Sequence, residues 1–230
     1  VRARLSPGNA TDMFITLEGI EGSGKSTALP HLVDLMERRG HPCQVTREPG
    51  GTPFGQRLRS ILLDPESGAI DPAAELLLYC ADRVQHIRAV IQPALDAGRT
   101  VVCDRYMDAT LAYQGGARGL GLDVIRAMHR LAVPSLVPDV TFLFDLEPRI
   151  GLARAWAAVE DGQRHQRESR FEAEALAFHE AVRENYLALA RAETERFVII
   201  DASAAPEEVV RQLGAALEAR LPALSAGTPL

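Results

Sequence analysis

The residues with the clearest chemical potential are Gly19-Ile20-Glu21-Gly22-Ser23-Gly24-Lys25-Ser26, a G-x-x-x-x-G-K-[ST] pattern directly after a short apolar run and directly before a segment of helical period. Glycines at these places let the backbone curl so that successive N–H groups face one concavity, and the following helix adds its positive end. Such a cradle binds phosphate. Lys25 adds a point charge for the β and γ phosphates of a nucleotide, and the Ser26 hydroxyl adds a ligand for Mg2+. Gly19, Glu21, Gly22, Ser23, Gly24, Lys25, Ser26 and Thr27 are therefore the expected nucleotide-binding residues.

The loop alone leaves the reaction open, because GTPases, ATPases and kinases share it. Neither asparagine, Asn9 or Asn185, begins the Asn-Lys-x-Asp that reads guanine, and no Asp-x-x-Gly switch follows. A second phosphate loop is also missing. Several separated arginines follow instead, which suggests two phosphate-bearing substrates.

The elements that must position these groups follow from periodicity. Short β-branched runs alternate with helical segments, the pattern of a parallel sheet covered by helices. The runs are Met13–Glu18, Pro42–Thr46, Thr100–Asp104, Val140–Asp145 and Phe197–Asp201. Three of them end in Asp104, Asp145 or Asp201, and a carboxylate at the carboxyl end of a parallel strand faces the crevice where such sheets bind ligands. Asp104, beside the phosphate loop, is the one expected to join Ser26 at a metal. Helices are expected over Lys25–Arg39, Pro53–Leu63, Pro72–Ala97, Asp123–Val133, Pro148–Val159, Phe171–Ala192 and Pro206–Leu221, with Pro93 bending or ending the third. The stretch Gln114–Gly121 reads as a loop, as does Val159–Ser169.

Composition bounds the rest. The chain has 230 residues, 47% hydrophobic and 24% charged, enough to bury a core in one domain without staples. Lys+Arg 25 against Asp+Glu 31 argues against general affinity for nucleic acid, whose backbone is bound by excess cations. Cys43, Cys80 and Cys103 fit neither a disulfide framework nor a zinc site, so a reducing cytoplasm is expected. No stretch approaches the roughly 20 apolar residues of a membrane helix. Residues 1–12 read as a loose leader before Met13, itself a possible start, residues 13–221 as one domain with a lid near 159–170, and residues 222–230 as a tail.

From Met13 to about Leu217 the chain resembles bacterial thymidylate kinases. The resemblance is carried by Gly19–Thr27 with Glu21 inside the loop, Thr46-Arg47-Glu48-Pro49-Gly50-Gly51-Thr52, Leu77–Arg83 with Gln85-His86, and Asp104-Arg105-Tyr106. Ala112-Tyr113-Gln114-Gly115 to Arg118-Gly119-Leu120, Pro138-Asp139-Val140, Arg170-Phe171-Glu172 and Tyr186-Leu187 continue it in order. It implies a P-loop nucleoside monophosphate kinase-like α/β fold, a five-stranded parallel sheet flanked by helices on both faces, and phosphorylation of dTMP by ATP with Mg2+ in a homodimer. It also implies that the turn with Glu48 and Pro49 borders the nucleoside monophosphate, Glu48 in its polar network and Arg59 on its phosphate, and that Tyr79 stacks on thymine where Phe is usual. Arg83 bonds the base, Arg105 lies between the two phosphates, and Thr110, Tyr113 and Gln114 border base and deoxyribose. Because the phosphate loop offers no base beyond Lys25, the catalytic set is Lys25, Arg105, Glu21 and a lid arginine, Arg170 first and Arg167 second. Ser169 stands where Asp is frequent. A kinase for another monophosphate or a deoxynucleoside, and a nucleotide-binding regulator without turnover, remain as alternatives at this level.

Overall fold

The computed structural model describes residues 13–132, 136–162 and 166–225. The leader, part of the segment expected to form the lid, including Arg164, and residues 226–230 lie outside them.

Five strands form one parallel sheet: β1 (Phe14–Glu18), β2 (Cys43–Arg47), β3 (Thr100–Asp104), β4 (Val140–Asp145) and β5 (Phe197–Asp201). Their order is β2-β3-β1-β4-β5. Phe14, Ile15, Leu17, Val101, Val102, Phe142 and Phe144 are buried, as strands covered on both faces must be. The chain crosses from β1 to β2 past the later β3 and then reverses to β4, so the sheet switches direction at β1. Ligands of doubly wound sheets bind at such a point, at the carboxyl ends of the strands. There the registers align Leu17 with Asp104 and Arg47 with Asp104. The phosphate loop after β1, the Glu48 turn after β2 and Arg105 after β3 thus arrive together.

The helices are α1 (Lys25–Arg38), α2 (Pro53–Leu63), α3 (Pro72–His86), α4 (Gln92–Asp96), α5 (Met107–Thr110), α6 (Leu122–Ala132), α7 (Pro148–Glu160), α8 (Leu176–Ala192) and α9 (Pro206–Ser225). Three expectations need correction. Pro93 does not end its helix: helical backbone runs from Pro72–His86 through a π turn over Ile87–Ile91 into Gln92–Asp96, and Pro93 falls just past that π turn. Gln114–Gly121 is not all loop, since a π segment continues α5 over Leu111–Ala117. Its glycines serve contact instead. A Cβ on Gly116 would lie 2.0 Å from Asn185 Nδ2, and one on Gly115 would lie 3.0 Å from Leu122. The helix expected from Phe171 starts only at Leu176, because Arg170 N bonds Leu63 O (3.0 Å) and the Phe171 ring packs edge-on to Tyr113 (5.4 Å). Those anchors hold residues 170–175 in turns. At the C-terminal end α9 runs past the expected boundary at 221. No helix among the described residues is long and apolar enough to cross a membrane.

Candidate active site

The phosphate loop is shaped by close backbone contact. Gly22 has φ 68°, and a Cβ there would meet Gly151 O of α7 at 2.0 Å. Only glycine fits. Lys25 is buried and folds back over the loop, donating from Nζ to Gly19 O (2.9 Å), Ile20 O (2.8 Å) and Ser23 Oγ (3.1 Å). Burial and then the nearby Arg105 cation push its pKa down to about 8, against Asp104, Glu21 and Glu18. Ser26 and Thr27 are exposed at the start of α1.

Of the three strand-end aspartates only Asp104 reaches the site. Asp145 is paired with Arg183 (2.7 Å), and Asp201 accepts from Ser203 N (3.0 Å). Asp104 Oδ1 is buried and has no hydrogen-bond partner. An orphaned carboxylate oxygen lining the same pocket as the Ser26 hydroxyl fits a hard divalent cation, which takes oxygen ligands.

Every residue expected to border the acceptor lines one pocket: Glu48, Pro49, Arg59, Tyr79, Arg83, Arg105, Thr110, Tyr113 and Gln114, together with Leu63, Tyr106, Ala109 and Phe171. A second pocket holds Gly22–Ser26, Arg47, Asp104 and Arg154. The two share Glu21, Glu48, Arg59 and Arg105. A third, beside the loop, is walled by Ala158, Ala202, Ala204, Pro206 and Val209.

Arg105 sits at the junction in the left-handed region (φ 68°). Its Nη2 donates to Glu21 Oε1 (2.7 Å), and its guanidinium lies 5.0 Å from the Tyr113 ring centroid. Tyr113 Oη reaches both Glu21 oxygens (2.8 Å each). Burial opposes ionisation of Glu21, but Arg105, His179, Lys25 and Tyr113 together hold its carboxyl well below the usual range. A carboxylate so committed is no proton acceptor near neutral pH.

The base-facing wall is a connected set. Arg83 donates from Nε to Glu48 Oε2 (2.8 Å) and from Nη2 to Thr110 Oγ1 (2.7 Å) and Tyr106 O (3.2 Å). His86 Nδ1 contacts Glu48 Oε1 (3.0 Å), and its Nε2 contacts Thr46 Oγ1. Burial would raise the pKa of Glu48, yet Arg83 and His86 bring it below the ordinary carboxylate value. Gln114 Nε2 donates to the fully buried Glu75 (2.8 Å). That bond fixes the amide, leaving its oxygen as the free end.

Arg170 is not brought to the phosphate loop. Its buried guanidinium donates to Glu75 Oε2 and Leu62 O and packs 4.5 Å from the Phe171 ring centroid. Arg167 is exposed. The arginine that does line the loop pocket is Arg154 of α7, bonded to Ala202 O (3.1 Å). Its charge alone does not place it there. The available signal was Gly151 one turn earlier, which brings α7 against Gly22. Arg47 likewise lines the pocket and opens the Arg47–Thr52 turn.

Glu18, one residue before the loop, is fully buried and accepts from Tyr106 N (2.8 Å) and Tyr186 Oη (2.7 Å). Burial first and Asp108 second push it up to about 7 from 4.5. The folded chain therefore keeps a proton that the unfolded chain loses above about 4.5, and stability falls as pH rises toward 7, by about 3 kcal/mol from this group. Melting curves from pH 5 to 8 should show that slope in the native chain and a flatter one in Glu18→Gln. Equal slopes would remove Glu18 from the account.

Sheet order, phosphate loop and two pockets that share Arg59 and Arg105 define a P-loop kinase of the nucleoside monophosphate kinase type. The family model described as thymidylate kinase matches residues 17–213. A protein named thymidylate kinase from Desulfosudis oleivorans is 55% identical over 206 residues, 90% of this chain and 96% of its own length. Relatives of the same name from Desulforapulum autotrophicum and Nitratidesulfovibrio vulgaris are 53% and 51% identical, covering 91% and 94% of this chain and 92% and 96% of their own lengths. The chain belongs to the thymidylate kinase family.

Proposed function

We propose that the protein transfers the γ-phosphoryl group of ATP to the phosphate of dTMP, giving ADP and dTDP. The observation that carries the reading is the pair of pockets sharing Arg59 and Arg105, one built on the phosphate loop and the other on Tyr79, Arg83 and Gln114. ATP phosphates lie on the loop and Lys25, with adenine against the apolar wall of Ala202, Ala204 and Pro206. Ser26 and Asp104 would hold Mg2+, which supplies charge to the bridging phosphate oxygens.

The acceptor oxygen is already ionised, so catalysis is positioning plus charge neutralisation and needs no strong base. Lys25 and Arg105 supply the charge, and the further cation expected from Arg170 comes instead from Arg154. Glu21 holds Arg105 in place. On the acceptor side Tyr79 stacks on the base, and Tyr113 crowds the position of a ribose 2′-hydroxyl.

Base choice follows from hydrogen-bond polarity. The free Gln114 oxygen accepts from thymine N3–H, and Arg83, whose Nη1 takes no part in the bonds above, donates to the base carbonyl. Cytosine reverses both groups and leaves buried partners unpaired, a mismatch worth 100-fold or more. The thymine methyl contributes about 1 to 3 kcal/mol, so dUMP is the closest competitor.

Homodimerisation and a cytoplasmic location belong to the same reading. Leu77 of α3 and Val124 and Leu131 of α6 are exposed on two helices that pack together, a face for a second copy. The three cysteines are free thiols, as in a reducing compartment.

ADP release from ATP with Mg2+ tests the proposal when dTMP, dUMP, the ribonucleotide TMP, dCMP, AMP, GMP and thymidine are compared as acceptors. Release is expected to be fastest with dTMP, slower with dUMP, at least about 100-fold slower with dCMP, and absent with thymidine. A different preferred acceptor would overturn the base assignment. No release with any acceptor would overturn the enzyme.

A further inference from the structure

Arg59 on α2 is not an open cation. Its Nε donates to Glu168 Oε1 (2.9 Å), its Nη2 to Glu168 Oε2 (2.8 Å) and its Nη1 to Pro49 O (3.2 Å). Glu168 lies in the short 3-10 turn Gln166–Glu168, 109 residues along the chain, and both side chains line the phosphate-loop pocket with Lys25 and Arg105. A carboxylate offers a guanidinium the same two-oxygen fork that a phosphate offers. The anion site on Arg59 is thus already filled by an anion of the chain itself.

The pairing differs from the other arginine–carboxylate contacts of the pocket. The Glu48 and Glu21 carboxylates held by Arg83 and Arg105 are 3% and 7% exposed, whereas Glu168 is 32% exposed, with Arg59 (18%) and Arg105 (20%) alike. A carboxylate that solvent reaches leaves its partner at modest cost, while a dianion on Arg59 repels the carboxylate it replaces. Glu168 therefore has the geometry of a displaceable occupant.

We propose that Glu168 is an internal competitor of the acceptor phosphate: it neutralises Arg59 in the empty site, and only a ligand carrying a phosphate displaces it. Glu168 thereby lowers the affinity for a monophosphate and leaves that for a nucleoside untouched, since thymidine brings no anion to contend for Arg59. The inference rests on reading Arg59 as a ligand of the acceptor phosphate.

Calorimetric titration of dTMP and of thymidine into the native chain, Glu168→Ala, Glu168→Gln and Arg59→Ala tests it, with melting curves to establish that each variant is folded. Removing a competitor worth about 1 kcal/mol tightens dTMP binding about five-fold in Glu168→Ala, by less in Glu168→Gln, and leaves thymidine binding unchanged. Arg59→Ala weakens dTMP and spares thymidine. If Arg59→Ala leaves dTMP affinity unchanged, the reading of Arg59 fails and the competitor with it. If Arg59→Ala weakens dTMP but Glu168→Ala binds it equally or more weakly, Glu168 orients Arg59 and the competition is refuted. Equal tightening of both ligands also refutes it, because the gain would then not be through the phosphate.

Discussion

Arg105→Ala is expected to lower kcat with dTMP about a thousand-fold, a loss of about 4 kcal/mol of transition-state stabilisation. The size follows from position. Arg105 lines both pockets, so its charge stands between the donor and acceptor phosphates, where neutralisation is the main work of the reaction. Lysine restores charge without the planar fork, and Arg105→Lys should recover only part of the rate. Stability falls as well, because Glu21 is left buried without its main cation, a cost of about 3 kcal/mol. A glycine variant separates the backbone from the side chain. Arg105 holds φ 68° because its N–H bonds Leu17 O (3.0 Å) while the next N–H bonds Glu18. That conformation strains any side chain by about 1 to 2 kcal/mol. Arg105→Gly should therefore be about 1 kcal/mol more stable than Arg105→Ala and equally inactive. Single-turnover rates and urea melts on the three variants check this; a rate within ten-fold of native in the alanine variant would remove Arg105 from the reaction.

Arg83→Met has the second large effect, and it falls on stability and selectivity together. The substitution strands the buried Glu48 with only His86 as partner among the described residues. Breaking a buried ion pair from one side costs about 3 to 5 kcal/mol. The donor to the base carbonyl is lost too, so the preference for dTMP over dCMP should shrink more than the affinity for phosphate. A second change tells the two effects apart. Arg83→Met with Glu48→Gln removes the stranded charge and should regain at least half of the lost stability, but none of the selectivity. If stability does not return, the pair is not the reason for the loss; if selectivity returns, Arg83 does not read the base.

Much of this was legible in the sequence, for local reasons. The phosphate loop requires glycines and Lys25 within eight consecutive residues, and the five strands are short apolar runs whose ends match the observed ones within a residue or so. The acceptor residues were named by family resemblance, and they do line one pocket. What escaped depends on partners far away along the chain. Arg170 turns from the phosphate loop because Glu75, 95 residues earlier, is buried beside it. Nothing near Glu168 announces Arg59. Gly115 and Gly116 read as loop formers because the demand on them comes from Leu122 and Asn185, across a helix contact. The pKa of Glu18 is likewise set by enclosure and by Asp108, neither of which a strand pattern contains.

The central claim is direct transfer between the two pockets that meet at Arg105. Rapid-quench measurement with ATP labelled at the γ-phosphate, Mg2+ and dTMP tests it most directly. The account predicts label appearing in dTDP in equal amount to ADP from the first turnover, with inorganic phosphate staying near background. Label released as inorganic phosphate, or retained on the protein before dTDP forms, would contradict it.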